Sequence, residues 1–354
     1  MMISTETSNR LLRETRCLYR EYGPRKPMGR AAPSIDEPHY FLLRRFLRDN
    51  DLLVIFNTQR CRYQCSFCDL PKKASHEFIP ATNIETQYAH VIREVRHALS
   101  ILTKVTISND GSVLDTETFP EEALLRIARA IREIRTVTTV AVETRLEFAT
   151  PHLLKALRSQ LGKHIKLDVL TGFETADPAI RDEVLLKKEP LEEFLHGLDC
   201  ITAAEASLTA YVLFKPSPDM TDDEAYDEAK RSIVYLASEC KKRCIDLSIR
   251  LNPMYAAMQS RWARQAATID GYLPPRLTDC MHLAETVAKE GTPVYLGLST
   301  EGLSDDRYTY KAREDYYPGL TRYALMFNER LIDSFPWEEI GTVKVPDDGQ
   351  SQSE

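Results

Sequence analysis

Three cysteines in one short segment are the part of this sequence best suited to chemistry. Cys61, Cys65 and Cys68 have the spacing C-x3-C-x2-C and directly follow an apolar stretch at residues 52–56. Thiolates gathered in one loop are soft ligands that suit an iron–sulfur cluster or zinc. Three protein ligands leave one metal position open, and an open iron can bind and reduce another molecule. The loop therefore indicates a catalytic role rather than a purely structural one.

A structural zinc site is the alternative for the same loop. Zinc in such sites takes four protein ligands in a tetrahedron, so a fourth side chain is needed. His76 is the nearest candidate, but it does not stand in a C-x2-C or H-x3-H arrangement. The remaining cysteines offer no convincing pair and are expected to be small buried residues. A role in electron transfer alone normally requires four cysteine ligands, which disfavours it.

The composition is that of an ordinary folded protein. The chain has 354 residues, of which 43% are hydrophobic and 28% are charged. No apolar stretch approaches the roughly 20 residues that a membrane helix needs, and the first 20 residues lack the apolar core of a secretory signal. We therefore expect a cytoplasmic protein, where thiols stay reduced and clustered cysteines favour metal over disulfides.

The charge distribution bears on partners. A net charge of −7 argues against unaided binding of nucleic acid, because such proteins carry a basic footprint. Local basic clusters occur at residues 44–48, 72–73, 187–188 and 241–243. We interpret them as solvated helix faces.

Alternating apolar runs and helical stretches predict the fold. Strands are expected at 52–56, 104–108, 138–143, 166–170, 208–214, 246–251 and 293–298, and helices at 83–102, 121–135, 151–160, 191–203, 222–241 and 274–289. This order predicts parallel strands joined by right-handed crossovers. Because no G-x-G-x-x-G follows the first strand, a partial or full TIM-like (β/α) barrel is favoured over a dinucleotide-binding sheet. The cysteine loop then lies at the carboxyl end of a strand, where barrels carry their working residues.

The chain divides into four predicted parts. Residues 1–40 are expected to form a helical N-terminal extension with a proline-rich linker, and residues 41–305 the α/β barrel core. Residues 306–344 are expected to be a C-terminal extension that packs on the barrel. The polar residues 345–354 are expected to form a disordered tail.

The cysteine loop, with Phe67 just before the third cysteine, resembles the radical S-adenosylmethionine (radical SAM) superfamily. The resemblance implies a [4Fe–4S] cluster on Cys61, Cys65 and Cys68, with S-adenosylmethionine (SAM) on the fourth iron. The reduced cluster would cleave SAM to a 5′-deoxyadenosyl radical that abstracts a hydrogen atom from the substrate. It also implies an oxygen-sensitive enzyme that needs a one-electron donor such as flavodoxin or ferredoxin. Phe67 would pack near the adenine of SAM, unless it is a plain core residue.

Further segments are most similar to the archaeosine-biosynthesis proteins of that superfamily and their bacterial relatives. They lie at 108–115, 142–145, 172–177 and 210–216, and the similarity covers about residues 41–300. It implies modification of a 7-deazaguanine-type tRNA nucleobase, with the RNA delivered by a partner protein. A small-molecule substrate in a bacterial biosynthetic pathway is the alternative. A non-catalytic, zinc-stabilised interaction protein is a remoter one.

The resemblance places the SAM contacts at the ends of the strands. Asn109, Asp110, Gly111 and Ser112 stand where many relatives have a Gly-Gly-Glu stretch that binds the amino group of SAM. The glycine-rich contact is only partly present here. An ordinary turn is the alternative, because Asn-Asp-Gly is strong turn chemistry.

Two later strand ends supply the other candidates. Glu143 would contact the ribose or amine of SAM, and Arg145 would bind its carboxylate bidentately; the alternative is a structural ion pair. Gly172 would let the backbone approach the nucleoside and Glu174 would bond a ribose hydroxyl. The alternative is a helix N-terminus, with Glu174 and Asp177 facing the helix dipole. The strand ends at 215–216 and 250–253 are further candidates for contact with substrate or SAM, and no residue is assigned a catalytic role.

Overall fold

The computed structural model describes residues 20–22, 34–68, 70–72, 74–255, 257–258, 260–299 and 306–342. Residues 20–22 form a short strand. The rest of the predicted helical extension up to residue 33, and the predicted tail at 345–354, lie outside the described residues. The domain boundaries drawn from the sequence therefore stay predictions.

The described residues form one sheet of nine strands that follow one another in sequence order. The first three strands pair antiparallel, and every later pairing is parallel. The strands are β1 (Arg20–Tyr22), β2 (Tyr40–Phe46), β3 (Asp49–Phe56), β4 (Lys104–Asn109), β5 (Thr139–Glu143), β6 (Lys166–Glu174), β7 (Ser207–Phe214), β8 (Leu247–Pro253) and β9 (Val294–Leu296). All seven predicted strands form, from β3 to β9, and the α/β class is confirmed.

Helices connect the parallel strands and cover the outer face of the sheet. They are α1 (Ala81–Glu94), α2 (Glu121–Arg132), α3 (Pro151–Leu161), α4 (Leu191–Ala203), α5 (Asp222–Lys242), α6 (Arg261–Ala266), α7 (Leu277–Lys289), α8 (Pro318–Asn328) and α9 (Trp337–Thr342). The predicted start of α5 is sharp because Thr221 and Glu224 form a reciprocal capping box. Helices α6, α8 and α9 were not predicted. No helix in the described part of the chain is both long and apolar enough to span a membrane.

Strand β2 is the main element that the sequence did not predict. Its antiparallel pairing sets Arg44 opposite Asp51 of β3. Arg44 Nε donates to Asp51 Oδ2 at 2.8 Å, and the arginine side chain is only 7% exposed. The interpretation of residues 44–48 as a solvated helix face is therefore wrong for Arg44, because strand alternation turns this side chain inward.

The sheet curls until its two sides meet through side chains. The ring of Phe46 in β2 stacks on that of Tyr295 in β9, with centroids 4.6 Å apart. The outer edge of β9 is bonded by a side chain of α8: Asn328 Oδ1 accepts from Leu296 N at 2.7 Å, and Asn328 Nδ2 donates to Leu296 O at 2.8 Å. An amide group thus occupies the place of a neighbouring strand. The result is a partial barrel, as predicted.

The amino ends of the parallel strands are filled by a polar group that we call the base layer. Its charges pair as Arg44 with Asp51 and Lys104 with Asp168, at 2.8 and 2.9 Å. The carboxylates also accept hydrogen bonds from Thr106, Ser207 and Thr209. The carboxylates and cations of this layer thus satisfy one another. Arg44 also reaches the lining of the open space, which extends from this layer towards the carboxyl ends of the strands.

Candidate functional site

A cavity of about 560 Å³ opens at the carboxyl ends of the parallel strands. Its wall contains the three cysteines and every predicted SAM contact except Ser112. The predicted residues that line it are Cys61, Cys65, Phe67, Cys68, Asn109, Asp110, Gly111, Glu143, Arg145, Gly172 and Glu174. The fold therefore gathers side chains from four consecutive strand ends around one space.

The cysteine loop is fixed by main-chain hydrogen bonds to three other segments. Arg60 N donates to Ser75 O at 2.8 Å, and Ser66 N donates to Leu185 O at 2.8 Å. Trp262 N in turn donates to Ser66 O at 2.9 Å. A ligand loop tied at several points holds its side chains in a defined position, as a cofactor site requires.

The thiols of Cys61, Cys65 and Cys68 are half-buried, and no cysteine in the described residues forms a disulfide. Burial raises the pKa of Cys61 and of Cys65, whereas Lys187 and Arg145 oppose that rise at Cys65. Arg145 Nη1 lies 4.0 Å from Cys65 Sγ. Two cations thus stand beside one sulfur. Within the described ranges, no three His, Cys, Asp or Glu side chains are placed to hold a single metal ion.

The segment after β4 packs directly against the cysteine loop. Asn109 Nδ2 donates to Thr58 Oγ1 at 3.0 Å, and Asn109 Oδ1 accepts from Gly111 N at 3.1 Å. A side chain at Gly111 would place its Cβ 3.3 Å from the Cβ of Cys61. The chain bends at residues 110–111, and a side chain at Gly111 would crowd the cysteine loop.

The other two residues of this segment have different surroundings. Asp110 contacts the ring of His39, a buried residue that the sequence did not single out. Ser112 lies outside the cavity wall, and its Oγ accepts from Arg145 N at 3.1 Å. Ser112 thus supports the wall from behind, and its contact with SAM stays a prediction.

Glu143 and Arg145 do not pair with each other. Ser108 Oγ donates to Glu143 Oε2 at 2.5 Å, which holds this carboxylate at the cavity wall. Arg145 instead binds Glu147 through Nε and Nη2, at 3.0 and 3.3 Å, and its guanidinium lies 3.8 Å from the ring centroid of Tyr63. The alternative of a Glu143–Arg145 ion pair is therefore wrong. Only Nη1 of Arg145 faces Cys65.

The space left by Gly172 is occupied within the chain itself. A Cβ at this position would collide with Glu174 Oε1 and would lie 3.4 Å from Lys187 Nζ. Glu174 is buried and has Lys187 Nζ 3.7 Å from its Oε1. The alternative role at a helix N-terminus holds for Asp177, which accepts from Ala179 N at 2.9 Å. It is wrong for Glu174, which faces the cavity.

Comparison with known proteins gives distant relatives, and none of the known protein-family models matches this chain. An uncharacterised protein of Methanocaldococcus jannaschii is 24% identical over 274 residues, which cover 75% of this chain and 72% of that protein. Archaeosine synthase subunit beta of Methanosarcina acetivorans is 26% identical over 186 residues, covering 51% and 53%. This match confirms the resemblance drawn from the sequence motifs.

A solved structure is similar to this chain at a lower sequence identity. SuiB of Streptococcus suis, crystallised with S-adenosylmethionine, is 14% identical with a TM-score of 0.47, over 72% of this chain and 52% of that one. This chain thus spans about half the length of SuiB and of the archaeosine synthase subunit.

A buried ion-pair cluster behind Cys65 was missed at the sequence level. Lys187 is only 4% exposed, and its Nζ lies 3.5 Å from Glu189 Oε2. Arg181 Nη2 binds the same carboxylate at 2.6 Å. The interpretation of 187–188 as a solvated helix face is therefore wrong for Lys187. A π-helical turn at Ile180–Val184 and the positive φ of Leu186 redirect the chain inward.

Proposed function

We propose that this protein is a radical SAM enzyme, with a [4Fe–4S] cluster on Cys61, Cys65 and Cys68 and SAM in the adjoining cavity. One observation carries the proposal: three cysteines on one fixed loop, none of them in a disulfide, line the same cavity as the ends of the next three strands. Three sulfur donors fit a cluster that keeps one iron for SAM. When bound and reduced, the cluster supplies the electron that cleaves SAM to a 5′-deoxyadenosyl radical, which takes a hydrogen atom from the substrate.

The residues around the thiols fit such a cluster electrostatically. A thiolate-bound cluster is anionic, and Arg145 and Lys187 are the cations beside Cys65. Both are held by carboxylates on their far sides, Arg145 by Glu147 and Lys187 by Glu189. Neighbours of this kind fix the orientation of ligands and tune the cluster.

Other side chains would bind and orient SAM. Glu143, held in place by Ser108, presents a carboxylate to the amine or ribose. Phe67 packs on the small apolar cluster that includes Leu213 and Trp262, and it also lines the cavity. Phe67 would contact the adenine from the side that lines the cavity, so the core interpretation and the binding one are compatible.

Anaerobic reconstitution with iron and sulfide tests the cluster. The brown protein should show an electron paramagnetic resonance signal that shifts when SAM is added, and it should form 5′-deoxyadenosine. Cys65→Ala should abolish the signal and the product, whereas Cys244→Ala, at an exposed cysteine, should retain both. A colourless protein that binds one zinc would favour the zinc-stabilised interaction protein and refute the enzyme.

The SAM contact at Glu143 is tested separately from the cluster. Glu143→Ala should weaken SAM binding about 10-fold or more, because a charged hydrogen bond is lost, with the cluster spectrum unchanged. Glu122→Ala, an exposed glutamate on α2, is the matched control. Unchanged affinity for SAM in the Glu143 variant would show that this strand end does not bind it.

For the substrate, we infer a 7-deazaguanine-type nucleobase in tRNA. The 26% identity to archaeosine synthase subunit beta supports this choice. The net charge of −7 supports delivery of the RNA by a partner protein rather than unaided binding. The enzyme would act in the cytoplasm and take electrons from a flavodoxin or ferredoxin.

A small molecule of a bacterial biosynthetic pathway is the second candidate, favoured by the size of the cavity, about 560 Å³. Assays with tRNA that carries a 7-deazaguanine-type base and with the free 7-deazaguanine nucleosides separate the two. Substrate-dependent formation of 5′-deoxyadenosine with the free nucleoside alone would favour the small molecule. The same response to tRNA alone would favour the nucleic acid.

A further inference from the structure

The wall of the cavity formed by β7, β8 and β9 carries a polar row that has no role in the proposed cluster and SAM contacts. Register pairing aligns Tyr211 of β7, Arg250 of β8 and Tyr295 of β9 on one level. Asn252 follows on the same face of β8, and all four side chains line the cavity. We call Tyr211, Arg250, Asn252 and Tyr295 the cavity layer.

Two polar atoms of this layer are buried without a hydrogen-bond partner among the described residues. They are Arg250 Nε and Asn252 Oδ1. No described carboxylate lies within ion-pair distance of Arg250; its nearest aromatic contact is the Tyr211 ring, with the guanidinium carbon 4.9 Å from the centroid. Arg250 as a whole is half-buried, but its Nε has lost water without gaining a partner, which is costly.

Arg250 stays charged in this setting. Burial, the largest influence, lowers the pKa of Arg250, and Arg44 lowers it as well. The combined influence of Tyr211, Tyr295 and Glu143 raises the pKa above its ordinary value. The cavity layer therefore presents a positive charge to the interior of the barrel.

Gly297 shapes the place where these two groups meet. A Cβ at this position would collide with Asn252 Oδ1 and would lie 2.9 Å from Arg250 Nε. The space that Gly297 leaves is therefore occupied by the Asn252 carboxamide, with Arg250 Nε beside it. The backbone after β9 is built around the arginine and the amide rather than around an apolar contact.

We propose that Arg250 and Asn252 form the substrate subsite of the cavity and bind an oxyanion, a carboxylate or a phosphate, carried by the substrate. The planar guanidinium offers several donors in the geometry that such groups accept. The carboxamide beside it contributes a further donor from Nδ2. That the bound molecule is the substrate rests on the proposed function, but the oxyanion preference of the site does not.

The test uses small probes on the full chain, with and without a reconstituted cluster. Benzoate, phenyl phosphate and the neutral benzamide are titrated by calorimetry or ligand-observed nuclear magnetic resonance. At least one of the two anions should bind about 10-fold tighter than benzamide, since one lost charged contact changes affinity by that order. The better anion identifies the substrate group, and equal binding of all three probes would overturn the proposal.

Two variants locate the site. Arg250→Met should remove the preference for the anion. Asn252→Asp keeps the side-chain size but places a carboxylate beside Arg250, and it should also remove the preference while leaving the folded state intact. Arg48→Met, at an exposed arginine between β2 and β3, is the matched control and should keep it. Retention of the preference in both cavity variants would overturn the proposal.

Competition with SAM separates the substrate from the cofactor. Saturating SAM should leave the binding of the preferred anion within about twofold, since the two occupy different walls of the cavity. Displacement of the anion by SAM would show that Arg250 binds the carboxylate of SAM instead, which refutes the substrate assignment. Failure of cluster assembly alone would refute the proposed function, while the anion titration without cluster would still decide the oxyanion site.

Discussion

The base layer and the cavity layer belong to the same curved sheet, yet their charged side chains are paired in opposite ways. In the base layer Lys104 is matched by Asp168 at 2.9 Å. In the cavity layer Arg250, whose Nε is buried, has no carboxylate partner among the described residues. A buried charge that is matched within the chain serves the fold. One left unmatched at a cavity wall is free to serve a ligand.

The largest effect is expected from breaking the base layer at Asp168. Asp168→Ala should lower the free energy of unfolding by about 3–5 kcal/mol, because it leaves Lys104 charged and buried without a partner. It also removes the acceptor of the Ser207 and Thr209 hydroxyls. Denaturant unfolding followed by circular dichroism measures the change.

A double variant checks that the loss at Asp168 comes from the stranded charge. Lys104→Met combined with Asp168→Asn removes both charges but keeps an acceptor for the hydroxyls. It should recover most of the stability lost in Asp168→Ala. A double variant as unstable as the single one would show that Lys104 and Asp168 are not coupled, and the base layer would then resemble the cavity layer.

The sequence predicts some strands of the fold and not others. The strands from β3 to β9 follow from apolar runs spaced by helical stretches, which is a local pattern. Strand β2 does not, because Arg44 interrupts its apolar run. Its charge is neutralised only by Asp51 across the hairpin, and that pairing depends on register rather than on local composition.

Residues of the candidate site could be predicted where their spacing in the sequence identifies them. They could not be predicted where the direction of a side chain decides their role. The spacing in the sequence identifies Cys61, Cys65 and Cys68 as ligands. The strand ends at Glu143 and Gly172 follow from the predicted barrel. The burial of Lys187 could not be predicted from the sequence, because one turn of backbone decides whether its side chain faces solvent or the cavity.

An intermediate effect is expected at the open edge beside the cavity layer. Asn328→Ala should lower the free energy of unfolding by about 1–3 kcal/mol, because Leu296 N and O lose their partners in a buried position. Hydrogen exchange at the Leu296 amide should also accelerate. Asn328→Asp keeps the acceptor for Leu296 N but sets a buried carboxylate against Leu296 O, so it should be at least as unstable as Asn328→Ala. An unchanged exchange rate in Asn328→Ala would show that the hydrogen bonds from Asn328 do not protect the edge of β9.

The smallest effect on stability is expected in the cavity layer, at Arg250. Arg250→Met should leave the free energy of unfolding within about 1 kcal/mol of wild type, or raise it. The variant loses the attraction to the Tyr211 ring, worth about 0.5–2 kcal/mol, but it also removes the cost of an Nε that is buried without a hydrogen-bond partner.

Arg44→Met is the same chemical change made in the base layer. It should lose about 3 kcal/mol, because it strands the buried carboxylate of Asp51. Both values come from denaturant unfolding of the two variants side by side. Equal losses at Arg44 and Arg250 would mean that the fold uses both arginines alike. The unmatched charge of the cavity layer would then be no guide to a ligand, because a residue that stabilises the resting fold as strongly as Arg44 already has its partners.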